Sequence, residues 1–362
     1  MIDKSQITTF EMDALDTLFF RDAKPFTKGE ENWAQTVFPP ASSVFYGALR
    51  TLFFAQDTQK LNLVGEENDP TKTLRVTGTY LGLNNIPYFP VPSDCIRKKN
   101  PKDENDKDKA FLLELHENPK NHSGCPLKYL LMYKEQEKVE GIEKGYLEKE
   151  ELFKYLKKED KSFSFLQLTG YLYSEPKIGI GISNTKGTSQ EGMLYRVEML
   201  RPNELTFMVR TKGLELPGHG IIRFGGEGKA AYFKKTDEED FSLDTDPQDT
   251  MFKIYFATQA VFEKGWLPRW IKKQGDNYYT GSYQGLRVRL LAAALDRYQP
   301  CGGFDMKNRK PKPMYRAVPP GSVYYFQLEE GAFKDAVEKF HDKVVSDFYQ
   351  EQGFGWTFVG RV

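Results

Sequence analysis

Two adjacent prolines set the first constraint on this chain. In WAQTVFPPASSVFYGALRTLFF, residues 33–54, Pro39-Pro40 ends an extended run and fits the entry of a helix but not its interior. Ser42 and Ser43 then stand where a helix start needs hydroxyl acceptors for its free amides. Behind them Val44, Phe45, Ala48, Leu49, Leu52 and Phe53 recur at helical spacing and predict one broad apolar face. Ser42, Tyr46 and Arg50 fall on a second stripe, four residues apart. Taken alone, the stretch reads as a capped core helix. Its free amides, hydroxyls and arginine are also what a phosphate requires.

Strands surround this helix. Residues 7–20 alternate, with Phe10, Met12, Ala14, Leu18 and Phe20 on one side, and predict an opening strand that turns through Arg21 and Lys24 toward the helix. Residues 74–83 predict another, and residues 88–91, between prolines, one at a sheet edge. From Arg97 to Asp160 the composition shifts to RKKNPKDENDKDK and EKVEGIEKGYLEKEELFKYLKKEDK, which predicts a charged insertion or lid of low order at its start, with a short helix over 148–157. KIGIGISNTKGTSQEGMLYRVEML predicts a long-tipped hairpin, and residues 205–210 continue the sheet. IIRFGGEGKAAYFKK predicts two strands about a glycine cluster, residues 251–257 a strand, and residues 286–295 a strand or helix. Pro319-Pro320-Gly321 turns between β-like runs at 314–318 and 323–328. Phe333, Val337, Phe340, Val344 and Phe348 predict a helix over 332–348 with His341 on its exposed side, and Gly353 to Gly360 turns into a terminal strand. Two rounds of strand, helix and hairpin predict an α+β fold of two ferredoxin-like (βαββαβ, RRM-like) domains, residues 1–215 with the insertion at about 97–160, and residues 216–362.

Composition narrows the function. The 362 residues carry 51 Lys+Arg against 51 Asp+Glu, whereas an independent, sequence-blind nucleic-acid binder is usually basic overall. Any contact with nucleic acid is therefore local or shared with partners. Aromatic residues make up 14% of the chain, including 27 Phe and 20 Tyr, which suits sheets, base stacking or both. Cys95, Cys125 and Cys301 form no Cys-x-x-Cys pair, which argues against a disulfide framework and fits a reducing compartment. The opening MIDKSQITTFEMD has no leader pattern, and no apolar run reaches membrane-spanning length, so the expected location is cytoplasmic, with no membrane partner.

Catalytic patterns fail one by one. In GGEGKA, residues 225–230, Arg223 stands where a P-loop needs its first glycine and Ala230 where it needs a hydroxyl. Read as a polymerase-palm turn, Glu227 lacks the second carboxylate for paired metal ions. A tight turn that lets another backbone approach is the plainer reading. Of four histidines, only His219, in PGHG, sits where a loop could present it. Neither a nucleophile elbow nor a clustered ligand set for a metal is present, and no cofactor or small-molecule substrate is expected. Basic and aromatic residues beside glycine turns remain: Lys177, Lys186, Arg196 and Arg201 on the hairpin, Lys307, Arg309, Lys310, Lys312 and Arg316 in MKNRKPKPMYR, and Trp266, Arg269 and Trp270, whose tryptophans fit a core plug better than a platform. That pairing suits single-stranded RNA.

The segments FFRDAKPF, FPPASSVFYGALR, KIGIGISNTKGTSQEGMLY, IIRFGGEGKAA, KPMYRAVPPGSVYYFQL and GFGWTFVGRV, in this order, resemble the RAMP-superfamily family formed by the third subunit of type III-B CRISPR (Cmr) effector complexes. The resemblance runs from Phe19 to Val362. FPPxSxxxxGAxR with VPxGSVYY is its most specific part, and the charged insertion matches none of its motifs. It implies two ferredoxin-like domains and a non-catalytic subunit that holds the 5′ tag of the crRNA, docks the large polymerase-like Cmr subunit and abuts an adjacent backbone Cmr subunit. On it, Arg21, Lys24, Arg50, Lys177, Lys186 and Lys229 are expected to meet phosphates, with Ser42 and Ser43 at the helix start and Tyr46 stacking. Gly225, Gly226, Gly353 and Gly355 are expected to let the RNA backbone approach. The alternatives are a metal-independent repeat endoribonuclease using His219, or the 5′-handle scaffold of a type III-A or type I complex.

Overall fold

In a computed structural model, residues 6–21, 33–118, 125–182, 188–244, 249–275, 278–305 and 307–362 are described. The opening strand forms over Thr8–Ala14 with Phe10 and Met12 buried and Glu11 paired to Lys234 at 3.0 Å across the sheet. It is shorter than its alternation predicts. Leu18 and Phe20 are buried all the same, in irregular chain.

Two large sheets organise the described residues. The first has eleven strands, with Ala230–Thr236, Thr8–Ala14, Leu205–Lys212 and Arg75–Leu83 consecutive within it. The second has seven, with Trp356–Arg361, Met251–Phe256, Val323–Glu330 and Leu286–Ala294 consecutive. Each of these quartets is antiparallel throughout and follows one order: last strand of the quartet, first, third, second. The strands His219–Arg223 and Ala230–Thr236 extend the first sheet beside Thr8–Ala14 although they follow residue 215. The chain is thus mixed α and β, mostly antiparallel sheet, with three α-helices among the described residues: α1 (Ser42–Gln56), α2 (Lys149–Lys157) and α3 (Phe333–Phe340). None of them is long and apolar enough to cross a membrane.

Several expectations need correction. Helix α1 starts as predicted, but its N-cap is Ala41 and no side chain caps it. Ser42 lies inside the helix, buried, with its Oγ 3.3 Å from Thr79 Oγ1. The extended backbone that follows the two prolines ends at Ala41, and the serines fall inside the first turn. The strand Ile86–Pro90 is interior, between Arg75–Leu83 and Gly145–Glu148. Its two ladders overlap at Tyr88 alone, so neither Pro87 nor Pro90 has to serve both neighbours.

The charged insertion is not a lid. It supplies Cys95–Lys98, Lys109–Leu112, Val139–Gly141 and Gly145–Glu148 to the first sheet, and α2 buries Leu152, Tyr155 and Leu156. Its charges are accommodated in pairs: Lys98 reaches Glu137 at 2.8 Å and Asp106 at 3.0 Å, over the Phe111 ring at 4.9 Å.

Helix α3 stops at Phe340 rather than 348. Asp342 adopts a left-handed φ of 51°, and Val344 joins a two-residue strand. His341 is buried, not exposed. Its Nδ1 accepts the Val359 amide at 3.1 Å, which leaves Nε2 to donate to the Phe241 carbonyl at 2.5 Å.

The sheets share one aromatic seam. Tyr80 and Phe89 of the first pack with Tyr255, Trp356 and Phe358 of the second around Phe241, with Trp356 and Phe358 4.8 Å apart and Phe241 5.5 Å from Trp356. Gly78 is required here, since a Cβ would lie 2.8 Å from the Trp356 indole. Arg210, only 2% exposed, crosses the seam to Asp342 at 2.5 Å and Glu238 at 2.8 Å, and Asp342 also accepts the Trp356 indole N–H at 2.7 Å.

Arg210→Met keeps the apolar stem and leaves two carboxylates without their cation. Urea unfolding is expected to show a loss of about 2 kcal/mol, the scale of hydrogen bonds to charged groups. His341 is held below its ordinary 6.5, first by burial. Its neutral form therefore contributes stability that is complete above the unfolded value and is lost as pH falls through the folded value. Unfolding midpoints measured downward from pH 7 should fall below about 6.5, and His341→Asn should flatten that fall.

Candidate nucleic-acid interface

The geometry of this surface begins with the segment that leaves the opening strand, residues 16–21. On one side, Leu18 and Leu200 exchange backbone hydrogen bonds of 2.7 and 2.8 Å, tying the segment to the hairpin Leu172–Ile182/Ser189–Pro202. The Phe20 carbonyl accepts the Val37 amide at 2.9 Å, and Arg21 bridges to Thr36. On the other side, the Phe19 carbonyl accepts the Gly226 amide at 2.8 Å. Gly225 has φ +84°, and a Cβ there would lie 2.6 Å from the Phe19 oxygen. The glycines let one backbone lie against another, as the plainer reading of the sequence holds.

A charged cluster locks this junction. Lys229 Nζ donates to Asp16 Oδ2 at 2.8 Å, Arg201 Nη2 to Asp16 Oδ1 at 3.2 Å, and Arg201 also pairs with Glu175 at the hairpin base. The Lys229 hydrogen bond, followed by the Thr17 amide, holds the Asp16 carboxyl down at about 2. The hairpin itself projects. Eleven residues of strand Leu172–Ile182 span roughly 35 Å at about 3.3 Å each, and Ile178, Ile180 and Ile182 are 66%, 55% and 65% exposed. Lys177 is exposed beside them.

A second group gathers at α1. Ser43 and Tyr46 are half-buried, and burial raises the Tyr46 phenol above its ordinary value. The Arg50 guanidinium lies 5.8 Å from the Tyr46 ring and bonds Asp69 Oδ2 and Thr71 Oγ1, both at 2.7 Å. Asp69 also takes the Gly65 amide at 2.7 Å and the Thr71 amide at 2.8 Å, so Arg50 is part of the knot that folds residues 58–73 back on the helix. Gly353 and Gly355 are buried. Their amides donate to Gln350 O at 3.0 Å and Gln259 O at 2.6 Å, and a Cβ would meet Val76 Cγ1 at 2.7 Å or Val345 O at 2.5 Å. Gly353 sets the C-terminal loop against the first sheet, and Gly355 sets it against Val345.

The structure therefore brings Arg21, Gly225, Gly226 and Lys229 to one junction, and Ser42, Ser43, Tyr46, Arg50, Gly353 and Gly355 to another. Lys177 stands out on the hairpin. Lys24 and Lys186 lie outside the described residues. Trp270 plugs the core against Tyr283 and Phe340, at 5.3 and 5.7 Å.

Sequence reasoning missed a buried polar group under α2. Asp94, fully buried, accepts the Tyr155 hydroxyl at 2.7 Å and the Tyr325 hydroxyl, while Lys253 Nζ sits 3.3 Å from the Tyr155 ring centre. Burial lowers the Lys253 ammonium to about 8, and the Asp94 charge opposes that shift. In MFKIYF the lysine reads as the polar face of an ordinary strand; only the fold lays α2 over it. Among the described residues, no three His, Cys, Asp or Glu side chains are placed to hold a metal ion.

A family model described as CRISPR-associated protein (Cas_Cmr3) matches residues 10–362. No curated protein sequence matches the chain. The chain is similar to one in the cryo-EM structure of the type III-B Cmr-beta bound to cognate target RNA, with 18% identity, 88% of this chain and 86% of that one covered, and a TM-score of 0.51. That likeness supports the fold. A chain of the Csm3-Csm4 subcomplex in the type III-A CRISPR-Cas interference complex aligns over 98% of this chain and 99% of its own at 11% identity, but with a TM-score of 0.38 it carries no argument.

Gly225→Ala tests the junction. A left-handed backbone costs a residue with a Cβ at least about 1 kcal/mol, and the contact with Phe19 adds to it. A lower thermal midpoint and faster protease cutting near residue 225 are the expected results.

Proposed function

The chain belongs to the Cas_Cmr3 family of CRISPR-associated proteins, and from that premise we propose that it is the non-catalytic subunit of a type III-B Cmr effector complex that holds the 5′ tag of the crRNA. One observation carries the reading. Three separate stretches, the 16–21 segment, the glycine loop and the base of a projecting hairpin, converge on a single junction that sequence alone had marked as basic and glycine-rich. Arg21 and Lys177, with Lys24 and Lys186, meet phosphates. Lys229 shares its charge between Asp16 and the RNA. The exposed tip of the glycine loop at Gly228, where nothing lies within 4 Å of a Cβ, leaves room for a sugar–phosphate backbone.

At α1 the roles divide. Ser43 and Tyr46 face the strand, with Tyr46 stacking on a base, while Ser42, Arg50, Gly353 and Gly355 hold the helix in place for it. Gly225 and Gly226 likewise shape the loop that approaches RNA. The subunit docks the large polymerase-like subunit and one backbone subunit. The exposed isoleucine strip is where the backbone neighbour rests, because an apolar patch of that kind marks an interaction site. We read both strand quartets as degenerate ferredoxin-like units. The shared strand order supports this: α1 fills the first helix position of one unit and α3 the second helix position of the other.

The test is RNA retention by the purified complex. Arg21→Ala with Lys177→Ala should weaken tag-RNA binding about tenfold, the equivalent of about 1.4 kcal/mol, at an unchanged melting temperature. Equal retention removes both residues from the cradle. Incubating the pure chain with repeat RNA in chelator tests the enzymatic alternative: a discrete cut abolished by His219→Ala overturns the non-catalytic reading.

A further inference from the structure

Between the strands Leu286–Ala294 and Val323–Glu330 the chain leaves the second sheet as a finger, residues 296–317. Two short ladders stiffen it, Gln299–Cys301 with Tyr315–Ala317 and Phe304–Asp305 with Lys310–Pro311. Its base is fixed: Cys301 and Ala317 are buried with Val261 and Phe354, Ala41 packs against that cluster, and Tyr315 stacks on Phe348 at 5.1 Å. Its tip is fixed too, because Lys307 Nζ donates to Glu66 Oε1 at 2.5 Å. The finger is thus pinned to the chain on both sides of α1 in sequence, at Ala41 before the helix and at Glu66 in the segment after it.

The finger's charge departs from that of the molecule. In a chain of net charge zero, it holds Arg297, Lys307, Arg309, Lys310, Lys312 and Arg316 against Asp296 and Asp305. Asp305 is taken up within its own turn by the Lys307 and Asn308 amides at 3.1 and 3.0 Å and the Asn308 side chain at 2.8 Å. Arg309, Lys310 and Lys312 are exposed and have no carboxylate within ion-pair distance among the described residues. Flat and apolar groups alternate with them: Tyr298 is 49% exposed beneath the Arg316 guanidinium at 5.0 Å, Phe304 is 52% exposed and Met314 52%.

We infer that this finger is a second contact surface for single-stranded RNA, separate from the cradle around residues 16–21. Arg309, Lys310 and Lys312 neutralise phosphates, and Tyr298 and Phe304 stack on unpaired bases. Cations alone would serve an acidic protein face equally well. Half-exposed rings among those cations favour splayed bases, because stacking accepts any base and a phosphate track needs only charge. This inference rests on the RNA-holding reading above and extends it to the finger.

The experiment measures binding of the full chain to a labelled single-stranded RNA of mixed sequence across a range of salt. Four proteins are compared: the unsubstituted chain, R309A/K310A/K312A, Y298A/F304A and the cradle variant R21A/K177A. Losing three phosphate contacts should flatten the slope of log affinity against log salt by about 2, at about 0.7 per contact. Y298A/F304A should weaken binding at every salt concentration with the slope unchanged. A triple variant with the original slope and affinity, while R21A/K177A loses binding, overturns this inference and leaves the cradle standing. An unsubstituted chain without RNA affinity overturns both. A triple variant that keeps RNA but sheds a co-purifying protein subunit assigns the finger to an acidic partner instead, and also overturns it.

Discussion

A buried cation between two sheets sets the terms for the rest of this molecule. Arg210 comes from the first sheet, and the carboxylates that neutralise it come from the connecting segment and from the turn after α3. A cation this deep must have its charge neutralised, and Arg210 Nη1 and Nη2 make three bonds to carboxylates while its buried Nε has no partner. Asp342 must therefore sit where it does, with its left-handed backbone and its bond to Trp356. That requirement ends α3 at Phe340, turns His341 inward and carries Trp356–Arg361 back beside Met251–Phe256. The aromatic cluster supplies the apolar burial; the arginine fixes which arrangement of it is adopted.

The proposed RNA surfaces inherit this rigidity. Gly353 and Gly355 lie on the same return path: Gly353 brings the C-terminal loop against Val76, in the strand that supports α1, and Gly355 sets it against Val345 of the second sheet's connecting chain. Phe354, between them, forms the floor on which the 296–317 finger is rooted. The helix and the finger are thus both referenced to the seam, although one belongs to each sheet. A surface assembled this way keeps its spacing without a rigid hinge of its own, which is what a track for a flexible strand needs.

Local signals in the sequence were legible where local physics decided the outcome. Pro39-Pro40 placed α1 within a residue, and the alternation around Ile178 and the glycines at 225–228 each predicted the turn or hairpin that forms. Failures came where a distant partner overrode a local preference. Ser42 reads as a cap until Thr79 arrives beside it. The Pro87–Pro90 run reads as an edge until the insertion pairs on its far side. The insertion reads as solvated because its apolar residues are diluted by lysine and glutamate that pair with each other only once the sheet has formed. Lys253 gave no signal, since a strand lysine is ordinarily on the wet face and the covering helix lies about a hundred residues earlier in the chain.

Neutral net charge follows from the same architecture. Arg50, Lys98, Lys149, Arg201 and Arg210 are each paired with carboxylates of the fold, so part of the acidic charge that brings the net charge to zero serves as structural counterions. Among the cations without such partners, Lys177 stands on the hairpin and Arg309, Lys310 and Lys312 on the finger. A chain of zero net charge has no general field to draw in nucleic acid, so its pull is local. Contacts of that kind grip weakly alone and firmly when neighbouring subunits hold the same strand, because each further contact on a strand already held is an intramolecular event. Local charge on a neutral body is therefore consistent with the proposed role, in which the subunit shares its RNA with others.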